Sequence, residues 1–141
     1  MFPCFDQPDL KAVWKFSALV EEDWCVISNE HEEANDARLD CLVKTVEQTN
    51  KVFGAESLVV KKPKSFIFRE SDRYSTYLFA IVAGPFDFFE RNSPDMPPMR
   101  IYARKTLIES VNHEEMFNVT QSGMVFYKDF FGIAYPFRKY D

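Results

Sequence analysis

Enzyme chemistry needs nucleophiles, bases or metal ligands set close together, and this chain offers few of them. It has two histidines, His31 and His113, and three cysteines, Cys4, Cys25 and Cys41. A water held on zinc calls for two imidazoles four residues apart on one helical face with a glutamate between them, the pattern H-E-x-x-H. His113-Glu114-Glu115-Met116-Phe117 opens in that way and then departs from it, because Phe117 stands where the second imidazole must be. Its acidic pair reads instead as first-turn residues facing the positive end of a helix. His31-Glu32-Glu33 reads as a charged turn or helix lead-in. The cysteines lack the paired short spacing of a metal knuckle or a disulfide framework. No Gly-x-Ser-x-Gly nucleophile turn occurs, and the four glycines are too scattered to cradle a phosphate. Asp6 and Asp9 could be taken for paired carboxylates, but beside Pro3 and Pro8 they read as turn formers bonding to backbone. No catalytic, substrate-binding or metal-ligating residue is expected.

The elements around these residues follow from periodicity. From Lys11 to Val20 apolar and polar positions alternate, with Trp14, Phe16, Ala18 and Val20 on one face, as in a half-buried strand. Glu21-Glu22-Asp23 makes a charged turn and Trp24-Cys25-Val26-Ile27-Ser28 a second strand, so the two read as a hairpin. Between Ala34 and Phe53 the period changes: Leu39, Leu42, Val43, Val46 and Phe53 share one helical face, with Asn35 or Asp36 as cap and Gly54 as stop. Pro63 interrupts, Phe66-Ile67-Phe68 is a short strand, and Tyr77 to Ala83 is a continuous apolar run of the kind covered on both faces. Gly84-Pro85 ends it. Asn92 to Pro98 carries three prolines and almost no pattern, and the domain boundary is placed there. Met99 to Leu107 alternates as a strand. His113 to Phe131 reads as a helix with Met116, Val119, Gly123, Phe126, Tyr127 and Phe130 along one side, closed by Gly132 and Pro136.

Composition narrows the function classes. The chain has 141 residues, 46% of them hydrophobic and 16% aromatic with 15 phenylalanines, so it carries enough apolar material for an ordered core. Trp14, Phe16, Phe79 and Phe126 sit inside apolar runs and read as core. A net charge of -5, from 22 acidic and 17 basic residues spread along the chain, provides no stripe for a phosphate backbone, and nucleic acid is not an expected partner. No apolar run approaches the roughly 20 residues of a membrane-crossing helix. The cysteines, odd in number and without paired short spacing, read as buried or partly buried thiols in a reducing compartment, so the expected location is cytoplasmic. Asn118-Val119-Thr120 fits the glycosylation pattern but falls in the expected helix.

Four segments carry a family resemblance. Phe2-Pro3-Cys4-Phe5-Asp6-Gln7-Pro8 with the strand after it, Ser75-Thr76-Tyr77-Leu78-Phe79-Ala80, Met99-Arg100-Ile101-Tyr102-Ala103, and Phe126-Tyr127-Lys128-Asp129-Phe130-Phe131-Gly132-Ile133-Ala134-Tyr135-Pro136 occur in the order seen in the aminopeptidase N family of zinc metallopeptidases, peptidase family M1. Together they frame nearly the whole chain. The resemblance implies a mainly β fold with some α. Residues 1–91 would be the later part of the family's antiparallel, sandwich- or saddle-like N-terminal β-domain, 92–98 a linker, and 99–141 the opening strand and helix of the thermolysin-like catalytic domain. The stretch from about Glu30 to Lys64 is longer than the family's usual connection, so the helix expected at 34–53 reads as an insertion.

The family removes N-terminal residues from peptides with a zinc ion held by H-E-x-x-H and a more distant glutamate, and anchors the substrate's amine with a Gly-x-Met-Glu-Asn loop. Neither motif occurs here. The resemblance therefore implies a segment of a larger aminopeptidase, as the first motif's position at the very start of the chain also suggests. Such a segment would scaffold and cap the catalytic cleft without zinc or turnover of its own, its partner the remainder of the parent chain, with zinc and peptide substrates belonging to that parent. The alternative is a non-catalytic binding or regulatory module derived from such an enzyme.

Overall fold

The structure, a computed structural model, describes residues 3–33, 43–48, 51 and 62–141. The chain divides into two compact units, Met1–Gly84 and Pro85–Asp141.

In the first unit six short strands pair two by two. β1 (Lys11–Ala12) pairs with β5 (Tyr74–Ser75), β2 (Ser17–Glu21) with β4 (Pro63–Ile67), and β3 (Cys25–Ser28) with β6 (Ile81–Gly84), all antiparallel. Alternation does here what it should: Phe16, Ala18 and Val20 pack against a buried cluster of Val26, Phe66 and Phe68. Trp14, on the same face, stacks on Phe79 with ring centroids 4.4 Å apart. The extended residues between β1 and β2 are tied across as well, since the Phe68 and Ser71 amides donate to the Phe16 and Trp14 carbonyls, each at 3.0 Å.

The turn after β2 forms, with the Trp24 amide donating to the Glu21 carbonyl at 3.0 Å. The hairpin expected from it does not. β2 and β3 each find a partner far along the chain, because a turn signal reverses direction while the ladder goes to whichever strand offers a matching apolar face. For β2 that strand carries Phe66. Pro63 does not interrupt; it is the first residue of β4, paired with Glu21, a position where proline is tolerated. The run Tyr77 to Ala83 is likewise not a strand covered on both faces. Thr76–Leu78 forms a 3-10 turn, β6 starts only at Ile81, and Tyr77, Leu78, Ile81 and Val82 are all exposed. Among the described residues β6 pairs with β3 alone, and three of its four residues are exposed.

The long stretch between β3 and β4 leaves and returns at anchored points. Glu32 bridges to Phe68, the Glu33 amide donates to the Ile67 carbonyl at 2.7 Å, and the Lys62 amide donates to Glu21 Oε2 at 3.4 Å. Residues 43–48 are helical, with Val43 and Val46 half-buried and Lys44, Thr45, Glu47 and Gln48 exposed, the spacing of one helical face. The remainder of the helix expected at 34–53, apart from Lys51, and Cys41 with it, lie outside the described residues. Cys25 is half-buried, whereas Cys4 is exposed rather than partly buried as expected.

In the second unit β7 (Phe86–Arg91) and β8 (Met99–Arg104) form an antiparallel ladder from Phe86↔Arg104 to Arg91↔Met99. The proline-rich residues 92–98 join these two strands inside the unit. One helix, α1 (His113–Phe131), follows, with the acidic first turn and glycine stop that were expected and a cap, Asn112, that was not. Asn112 Oδ1 accepts from the Glu115 amide, Glu114 and Glu115 occupy the first turn, and Gly132 ends the helix at φ 68°, where its amide donates to the Lys128 carbonyl. The chain then returns to β8. The Arg100 amide donates to the Tyr140 carbonyl at 2.9 Å and the Tyr140 amide to the Pro98 carbonyl at 3.0 Å.

Candidate functional site

The N-terminal motif is a fastened loop. Gln7-Pro8-Asp9-Leu10 closes as a turn with the Leu10 amide donating to the Gln7 carbonyl at 3.2 Å, proline occupying the position where its fixed φ suits a turn. Two buried hydroxyls hold the loop from the far side: Ser75 Oγ donates to the Pro8 carbonyl at 2.6 Å and Thr76 Oγ1 to the Phe5 carbonyl at 2.8 Å. Immediately beyond, Lys11 and Ala12 enter the ladder opposite Ser75 and Tyr74. The fastening therefore comes from Ser75 and Thr76, while Asp6 and Asp9 are exposed. This replaces the turn role expected of the two aspartates, for a hydroxyl buried under the loop reaches carbonyls that the loop's own outward side chains face away from.

The segment after Thr76 is gripped in turn by β3. Ser28 Oγ donates to the Ala80 carbonyl at 2.9 Å, and the Asn29 side chain takes both roles, donating to the Leu78 carbonyl at 3.0 Å and accepting from the Ala80 amide at 2.8 Å. A side-chain amide has both a donor and an acceptor, so Asn29 stands in for a strand neighbour where the 3-10 turn interrupts the ladder. Tyr74 lies beside this junction. Burial pushes its phenol pKa up, the Ser71 hydroxyl opposes that, and the negative charge of Glu30 adds to it.

A second cluster forms around α1. Arg91 at the end of β7 aims its guanidinium at the first turns of the helix, pairing with Glu114 and donating to Asn118 Oδ1 at 2.7 Å and Gln121 Oε1 at 3.4 Å. It lies over the ring of Phe117, 4.8 Å from the centroid. Phe117 is buried, and His113 is stacked flat on Phe89 at 3.7 Å with its Nε2 3.5 Å from Glu114 Oε1. The His-Glu segment thus serves packing and helix capping. Along the ladder, burial acts against the charge of Arg100, but its bonds with Tyr102 and Glu90 outweigh that and raise its pKa. The Arg100–Glu90 contact measures 2.6 Å. In the returning segment Tyr135 is pushed up by burial, then by Tyr140 and Asp141.

Among the described residues no three histidine, cysteine or carboxylate side chains come together in a group that could hold a metal ion. His31 belongs to the first unit and His113 to the second. The described residues do not fit the zinc site of the family that the sequence resembles. An open groove along α1, lined by Met96, Asn118, Gln121, Ser122, Val125 and Phe126, contains no titratable side chain. Among the described residues no helix is long and apolar enough to cross a membrane. What the junction does chemically is mechanical, binding three stretches of backbone into one frame. Reading the sequence missed the Ser75 and Thr76 bonds, the Asn29 clamp and the Arg91 hub. The first two had a signal in hand, because hydroxyl and amide side chains beside a turn commonly bond backbone.

Comparison with known proteins bears on the same residues. The model of the peptidase M1 N-terminal domain matches residues 1–52. Aminopeptidase N of Streptomyces lividans is 30% identical over 145 residues, covering 100% of this chain and 14% of its own length. Aminopeptidase M1-A of Oryza sativa subsp. japonica is 29% identical, with 99% of this chain and 13% of the relative covered, and glutamyl aminopeptidase of Mus musculus is 26% identical with 99% and 12% covered. The chain thus spans about one-eighth of the length of the curated relatives it matches.

Proposed function

As a member of the M1 aminopeptidase family, this chain is, we propose, a scaffolding segment of a zinc-dependent aminopeptidase that removes N-terminal residues from peptides. Its place is at the end of the N-terminal β-domain and the start of the catalytic domain, where it braces and caps the cleft. Zinc, the water it activates and the anchor for the substrate's amine belong to the parent beyond these residues. In this reading residues 1–91 come from the β-domain and 99–141 from the catalytic domain; the compact units divide earlier, after Gly84, which moves β7 to the second side. A cytoplasmic location is part of the proposal and rests on the sequence, where the three cysteines are odd in number and lack the spacing of a disulfide framework.

The observation that carries the reading is the junction itself. The N-terminal motif and the Ser75-Thr76 motif, far apart in the sequence and each resembling the family's, are bonded to each other. The test is direct: the isolated 141-residue chain is assayed for bound zinc by elemental analysis and for hydrolysis of aminoacyl arylamides. Neither is expected, and stoichiometric zinc with turnover would overturn the scaffold assignment. The same assays on the full-length parent are expected to show both.

A further inference from the structure

The three ladders of the first unit share one arrangement. β1, β2 and β3 come from residues 11–28, their partners β5, β4 and β6 come from residues 63–84, and among the described residues no strand pairs within its own half. The apolar contacts cross in the same way. Trp14 stacks on Phe79, and Phe16 meets Phe68 and Phe79 with ring centroids 5.4 Å apart in each pair. The buried cluster takes Val26 from one half and Phe66 and Phe68 from the other. Polar groups follow: the Trp14 amide donates to Ser71 Oγ at 2.9 Å and the Arg69 amide to the His31 carbonyl at 3.0 Å, while Lys15 pairs with Glu70 at 2.8 Å. The bonds of Ser28, Asn29, Ser75 and Thr76 cross as well. Residues 3–33 therefore lie against residues 62–84 as an extended peptide lies on a receptor that recognises it by strand addition. The connection between the halves departs at Glu33 and returns at Lys62, and each of these backbone amides donates to the opposite half.

We propose that residues 3–33 are a separable β-partner for the face made by residues 62–84, so that a chain cut within residues 34–61 keeps its N-terminal piece and can take up the same piece from a second copy. Covalent continuity supplies a high effective concentration; the recognition lies in the ladders, rings and hydroxyls. The inference uses contacts of the first unit alone and stands apart from the aminopeptidase reading.

The experiment places a protease recognition sequence within residues 34–61 of the full chain, cuts the folded protein, and follows the pieces by size exclusion at micromolar concentration. They are expected to elute together, with an unfolding midpoint more dependent on concentration than that of the uncut chain. Cut protein unfolded in urea and diluted with an excess of fluorescently labelled N-terminal piece should incorporate the label. A labelled piece of the same composition in scrambled order should not enter, which separates recognition from the general adhesion of exposed apolar surface. Thr76→Val on the receiving side and Asn29→Ala on the N-terminal piece are each expected to weaken capture about tenfold, whereas Arg91→Lys, in the second unit, should leave it unchanged. Pieces that part on cutting overturn the proposal, and so does failure to incorporate the label. A scrambled piece captured equally well, or capture indifferent to both Thr76→Val and Asn29→Ala, overturns it too.

Discussion

Thr76 and Phe5 are 71 positions apart, and one hydroxyl joins them. A buried side-chain bond of this kind contributes about 1 kcal/mol, and removing its donor leaves a carbonyl to be satisfied some other way. Thr76→Val keeps the shape and deletes the donor, so it should lower unfolding stability by about 1–2 kcal/mol, read as a lower urea midpoint at unchanged slope. Arg91 offers a second residue-scale test. Its planar fork reaches Asn118, Gln121 and Glu114 at once, which a lysine ammonium cannot reproduce. Arg91→Lys should therefore destabilise the second unit measurably while keeping the charge, and Glu114→Gln, at an exposed partner, should do less. Two tyrosines bear on the alkaline side of the pH behaviour. Tyr74 and Tyr135 both have phenol pKa values raised above the ordinary 10.0 by burial. Deprotonation is then easier in the unfolded chain, so the stability tied to the neutral phenols is whole below pH 10 and drains away as pH rises through and beyond it. Tyr74→Phe should flatten that alkaline loss in the first unit, visible as a shallower fall of melting temperature between pH 9 and 11; an unchanged slope would contradict the assignment.

At the scale of elements, α1 is the part most legible in the sequence. Its bounds, cap and stop all follow from local chemistry: Asn112 before an acidic first turn, and Gly132 in a left-handed conformation that other residues enter at a cost. Gly132→Ala should cost about 1 kcal/mol, measured by thermal unfolding. Strand positions were legible for the same reason, since Phe16, Ala18 and Val20 point inward as their alternation requires. Pairing was not. β2 and β3 read as neighbours across a turn, but ladders depend on surfaces that lie far along the chain, and β4 and β6 carry those surfaces. The exposed Tyr77-to-Ala83 run misled for a related reason, because an apolar stretch reports what an element is made to touch and not whether this chain supplies the contact. The excursion between β3 and β4 permits a further test. Its ends are fixed by Glu33 and Lys62, and loop closure grows only with the logarithm of length. Replacing residues 34–61 by a glycine-serine linker of about eight residues should leave the β2–β4 ladder intact, with unfolding stability changed by no more than about 1–2 kcal/mol. Loss of cooperative unfolding would show that the excursion is structural.

Among the described residues more large hydrophobics are exposed than buried. Val26, Phe66, Ile67 and Phe68 are buried in the first unit and Met99 and Phe117 in the second, while Phe126, Phe130, Phe131, Ile133 and Phe137 are exposed. Apolar surface on that scale marks contact with other protein, and the isolated chain is expected to bind a hydrophobic dye such as ANS strongly and to self-associate as its concentration rises. The fastening of the N-terminal motif has one more consequence, in time instead of energy. During synthesis Phe5 and Pro8 leave the ribosome long before Ser75 and Thr76 exist to hold them, and all three ladders of the first unit wait on strands from its second half. The second unit, built from β7, β8 and the helix that follows, needs only near neighbours and assembles quickly once made. The order of emergence and the order of completion are thus nearly the same for the second unit and widely separated for the first. A nascent chain halted after Lys64 would carry the Phe-Pro-Cys-Phe motif loose, open to proteases and chaperones until the two hydroxyls arrive.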